Sequence, residues 1–68
     1  MKYSYEIIPR SVEVGGGWRL RLLEDDVEVG GGVFPPSDFA ENEADALKLA
    51  YSDAEDQAYA WLDSKEAA

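Results

Sequence analysis

The side chains in this chain that could move a proton or hold an ion are fifteen carboxylates, four tyrosines and six Lys or Arg. Histidine, cysteine and threonine are absent. Their absence excludes Ser-His-Asp and Cys-His nucleophile systems and the usual His/Cys zinc sites. Only carboxylate or tyrosine chemistry remains. General acid–base work needs paired carboxylates in a cleft that separates their pKa values, and a chain of 68 residues has little room for one. The densest acidic runs, Glu24-Asp25-Asp26 and Asp53-Ala54-Glu55-Asp56, lack the ligand order and turn glycine of an EF-hand loop. The acids therefore read as solvated, and neither catalytic residues, nor a metal site, nor a cofactor is expected.

Two glycine runs could in principle cradle a phosphate, because Val12-Glu13-Val14-Gly15-Gly16-Gly17 recurs as Val27-Glu28-Val29-Gly30-Gly31-Gly32. A P-loop needs Lys and Ser/Thr after its glycines, then a helix. Here Trp18-Arg19 follows the first run, so both copies are expected to be β segments followed by a turn or bulge, where glycine relieves steric strain. Arg19 and Arg21 alternate with Trp18, Leu20 and Leu22. That spacing makes them cross-strand partners for Glu6, Glu13 or Glu28, or else part of a partner-binding face.

These residues must be positioned by three strands and a helix. Tyr3, Tyr5 and Ile7 alternate with Ser4, Glu6 and Ile8, which predicts a strand over 3–9 ended or placed at an edge by Pro9. A second strand is predicted over 18–24 and a third over 27–34, joined at Asp25-Asp26 into an antiparallel meander. Pro35-Pro36 breaks the sheet, and Asn42 caps a helix over 43–64, with Asp45 placed to reach back. Leu47, Tyr51, Ala54, Ala58 and Trp61 form its apolar stripe, widened by Ala44, Ala50 and Leu62. The fold class is α+β, a three-stranded antiparallel sheet packed against one long C-terminal helix, in a single domain over 1–68. A domain this small buries only about 60% of its unfolded surface. Trp18, Trp61, Phe34, Phe39 and the tyrosines are the expected core.

Order, length and landmarks together resemble HicB-like small proteins. The likeness rests on the opening Lys2-Tyr3-x-Tyr5 strand, on Gly16-Gly17-Trp18 at the start of strand two, on a glycine-bearing strand three, and on Asn42-Glu43-Ala44-Asp45-Ala46-Leu47 opening the helix. It covers about residues 2–64. The resemblance implies a partial double-stranded-RNA-binding-domain-like ββ(β)α fold acting as an antitoxin module that blocks a small basic RNase. True double-stranded-RNA binders carry bases at the helix start, where this chain has Glu43 and Asp45.

Charge narrows the partner. The net charge is −9, of which residues 38–68 hold −7, with nine acids against Lys48 and Lys65. Phosphate surfaces need clustered Lys and Arg, so direct nucleic-acid or anionic-membrane binding is not expected, and a basic protein partner is favoured. No apolar run approaches the roughly 20 residues that cross a bilayer, and a cytoplasmic protein is the expectation. The predicted outer sheet face carries Ile8, Arg19, Arg21 and Leu23, and that face or an edge strand is the expected binding surface, in a homodimer or a heteromeric complex. The alternative function is an acidic nucleic-acid mimic that occupies a nucleic-acid-binding protein through its helix.

Overall fold

The computed structural model describes residues 2–66 and places strands β1 (Tyr3–Pro9), β2 (Trp18–Glu24) and β3 (Val27–Phe34) before helix α1 (Glu43–Glu66). β2 is central and pairs antiparallel with both neighbours, with Leu20 opposite Ile7 and Gly32, and Leu22 opposite Tyr5 and Gly30. The strands occupy the ranges expected from alternation, and the helix runs two residues past the expected Ser64.

The β2–β3 connection is a two-residue turn in which Asp25 and Asp26 have φ of 50° and 69°. Positive φ at both central positions is the combination of a type I′ hairpin, whose twist matches the strands it joins. Lys2 extends the β1 ladder into this turn. Its N–H donates to Asp25 Oδ1 (2.8 Å), and its carbonyl accepts from Asp25 N (2.8 Å).

The two copies of the Val-Glu-Val-Gly-Gly-Gly segment fold differently. Val27–Gly32 lies in β3, but Val12–Val14 is a single 3₁₀ turn, not the β segment expected. Neighbouring residues decide it. Ser11 Oγ accepts from Glu13 N (3.2 Å), and the Arg10 guanidinium donates to the carbonyls of Val14 (2.9 Å) and Gly16 (3.0 Å). The second copy has no such local partners and pairs with β2 instead. Gly31 there has φ +146°, and a Cβ would press on the carbonyl of Leu20. Gly17, at φ +80°, likewise abuts the Phe34 carbonyl and the Pro35 Cα.

Helix α1 covers one face of the sheet. Its buried residues are Ala46, Ala50, Ala54 and Ala58, an i, i+4 row that lets the helix axis approach Leu20 and Leu22. Tyr5, Ile7, Phe34 and Trp61 pack around that centre. The stripe differs from the expected one. Ala46 joins it, Ala44 is exposed, and Tyr51 is 38% exposed at its border. The aromatic residues fix direction. Trp18 meets Tyr51 edge-on (5.0 Å) and donates from Nε1 to the Leu47 carbonyl (2.9 Å), while Tyr3 meets Trp61 at the far end (5.6 Å). The helix thus runs with β2, and Leu47 to Trp61 covers about 21 Å, the length of the sheet. Past Trp61 the side chains of Asp63, Ser64 and Lys65 are exposed, as the length comparison requires. Among the described residues no helix is long and apolar enough to cross a membrane.

Phe39 is not in the core. It is 96% exposed on the loop between β3 and α1.

Candidate functional site

With α1 on one side, the other side of the sheet is open, and register lays out its residues in rows. Ile8, Arg19 and Val33 form one row, Glu6, Arg21 and Gly31 the next, and Ser4, Leu23 and Glu28 the third. The four sequence candidates therefore share this face. Ile8 and Val33 lie on the two edge strands and are 37% and 54% exposed. Leu23 differs from expectation, because on the central strand it is flanked on both sides and only 6% exposed. It offers little surface to a partner.

The register slips once, between Leu22 and Leu23, and leaves Val29 without a partner residue. A bulge of this kind re-aims the following side chains. Glu28 is directed at both arginines. Arg21 Nε lies 2.8 Å and Arg19 Nη2 3.2 Å from Glu28 Oε1, and Arg21 Nη1 reaches Glu6 Oε2 at 3.0 Å. Glu13, the third acid considered for pairing, sits in the 3₁₀ turn and is not opposite either arginine. The glycine run removes the side chains that would separate the groups and leaves a shallow hollow of about 280 Å³ over Gly30–Gly32. The hydrogen bond from Arg21 is the main influence holding the Glu28 carboxyl below its usual range, and the Arg19 charge adds to it. The same bond raises the Arg21 guanidinium pKa. Two arginines and two glutamates make the face close to neutral, unlike the rest of the molecule.

Tyrosine chemistry, the residual catalytic option, has one cluster to consider. Tyr5 OH donates to Tyr59 OH (3.3 Å), which donates to Glu55 Oε2 (3.1 Å). The hydrogen bond with Tyr5 and then that with Glu55 push the Tyr59 hydroxyl well above the ordinary tyrosine value. A hydroxyl made harder to ionise is the opposite of an activated nucleophile or base. Among the described residues no group of three or more acidic side chains could hold a metal ion. The first glycine run presents no phosphate cradle either, since the N–H groups of Gly15 and Gly16 are already bonded to Val12 O (3.1 Å) and Ser11 O (2.9 Å).

Sequence reasoning missed Phe39 as a surface residue, because it assigned every large aromatic side chain to the core. The available signal was position: Phe39 lies between Pro35-Pro36 and the Asn42 cap, outside every periodic element.

No protein-family model, no curated protein and no solved structure matches the chain.

Proposed function

We propose that this chain is a non-catalytic protein–protein interaction module that binds through the uncovered face of its sheet and recognises a basic protein. One observation carries the reading. A sheet with a single covering helix exposes Ile8 and Val33 on either side of Arg19, beside a fixed Arg21–Glu28 pair. Apolar side chains next to oriented charges supply contact area and register together. The net charge of −9 favours a basic partner. Under the resemblance to HicB-like proteins, that partner is a small basic nuclease and the module is antitoxin-like.

The test compares capture from the source cell by the native chain and by an Ile8→Glu, Val33→Glu double variant, both exposed positions. A basic protein retained by the first and lost by the second supports the reading. Equal retention sinks the sheet face. The mimic reading rests on a different observation, the exposed acids Asp53, Asp56 and Asp63 of α1. It predicts capture of a nucleic-acid-binding protein that both chains retain and that DNA or RNA displaces.

A further inference from the structure

We infer that Phe39 is a docking point for a Lys/Arg-rich amphipathic segment of a basic protein, whose apolar side chains pack against the Phe39 ring. The inference rests on the reading of this chain as a protein-binding module, but not on the sheet face. Single exposed apolar residues are ordinary. Phe39 is set apart by its support, its surroundings and its charge.

The support is a pinned loop. Phe39 N donates to Ser37 Oγ (3.2 Å), and Ser37 N donates to the Ala46 carbonyl in the first turns of α1 (3.2 Å). Pro35 and Pro36 restrict the backbone just before it. An aromatic anchor presented on an ordered loop loses little conformational freedom on binding.

The surroundings are two shallow hollows, and Phe39 lines both. One, of about 300 Å³, is walled by Phe34, Pro35, Pro36 and Ala50; the other, of about 330 Å³, includes Ala40 and the 46% exposed Leu49. An exposed ring shared by two hollows offers a partner contact in more than one place. That is the arrangement a partner's apolar stripe needs.

The charge selects the partner. Asp38, Glu41, Asp45 and Asp53 line these hollows against Lys48 alone. An apolar anchor in an acidic rim is complementary to an apolar stripe bordered by Lys and Arg. A second copy would bring the same carboxylates and a charge of −9, and nucleic acid or an anionic membrane would bring phosphates. Each of these is repelled.

The experiment is a titration of the full chain, followed by amide NMR, with three synthetic peptides of equal length: amphipathic alternating Lys/Leu and Glu/Leu sequences, and an alternating Lys/Ser sequence that has no apolar face. The expected result is perturbation centred on residues 38–49 with the Lys/Leu peptide only. Phe39→Ala is then expected to weaken that binding by about tenfold or more, with its melting temperature unchanged because the ring is exposed. Equal shifts with Lys/Ser would overturn the apolar contact, and equal shifts with Glu/Leu would overturn the charge selection. A Phe39→Ala variant that melts many degrees lower would show that the ring belongs to the fold, and would end the proposal. Shifts confined to Ile8, Arg19 and Val33 would also end it, yet leave the sheet-face reading standing. Absence of any shift would refute the docking point, with the sheet face still to be judged by its own capture experiment. Sedimentation showing a dimer that Phe39→Ala dissolves would replace the basic segment with a second copy.

Discussion

Glycine at position 31 is required by contact as well as by φ, whereas its neighbour at 30 is not. A Cβ on Gly31 would collide with the Leu20 carbonyl of the central strand, at a φ that side chains rarely adopt. A Cβ on Gly30 would meet only the Leu22 side chain, at an ordinary 3.6 Å. Gly31→Ala is therefore expected to lower stability by about 2 kcal/mol or more, and Gly30→Ala to raise it by about 0.5 kcal/mol through a less flexible unfolded chain. Chemical denaturation of the two variants separates them, and equal effects would mean that β3 relaxes around residue 31. A second residue-scale consequence concerns pH. The Tyr59 hydroxyl is harder to ionise in the fold than in the unfolded chain. Its stabilising effect is thus complete below the ordinary tyrosine value of about 10 and is lost as pH rises above it. Melts across that range should fall more steeply for the native chain than for Tyr59→Phe. Parallel curves would remove Tyr59 from the alkaline transition.

At the scale of elements, alternation and caps were legible and packing depth was not. Tyr3, Tyr5 and Ile7 identified β1, and Trp18, Leu20 and Leu22 identified β2, because a one-residue slip would turn every apolar side chain outward. Asn42 marked the start of α1, and its Oδ1 accepts from Asp45 N (2.9 Å) while its Nδ2 donates to Asp45 Oδ2 (3.2 Å). Of the buried alanine row, Ala50, Ala54 and Ala58 were legible in the stripe and Ala46 was not, because alanine is found both inside and outside proteins and the larger Tyr51 drew the stripe toward itself. The identical hexapeptide could not reveal its two conformations, since the choice depends on Ser11 and Arg10 in one copy and on β2 in the other. Leu23 read as exposed from alternation alone, which assigns a side to a residue and does not say how crowded that side is. Among connections, the Asp25-Asp26 turn was recognised but is suboptimal, because aspartate tolerates positive φ less readily than Asn-Gly. Replacing the pair with Asn-Gly should stabilise the hairpin by about 0.5–1 kcal/mol. An asparagine at position 25 keeps an Oδ1 to accept from the Lys2 N–H but without the carboxylate's charge; the weaker bond would offset part of the gain, so Asp26→Gly alone should do at least as well. A lower denaturation midpoint for Asp26→Gly would show that the aspartate makes an interaction worth more than the backbone freedom it restricts.

For the whole molecule, the distribution of charge decides how stability responds to salt. Among the described residues the ion pairs are three, and all of them converge on Arg19, Arg21, Glu6 and Glu28 of the outer sheet face. Most remaining acids are exposed on α1, on its leading loop and at the β2–β3 turn, where Lys48 and Lys65 are the only bases of the segment 38–68. Salt acts on both groups. It weakens the exposed arginine–glutamate contacts, and it screens repulsion among carboxylates spread along a helix of 24 residues. Unfolding lets the carboxylates move apart, so screening favours the folded chain, and the unpaired acids outnumber the paired ones. The melting temperature should therefore rise between low and physiological ionic strength, and rise less in an Asp53→Asn, Asp56→Asn variant that begins with less repulsion. A fall in the native chain would place the Glu28-centred network above the helix carboxylates in the electrostatics of the fold. The outer sheet face would then be a rigid ionic surface, and the case for apolar docking at Ile8 and Val33 would weaken with it.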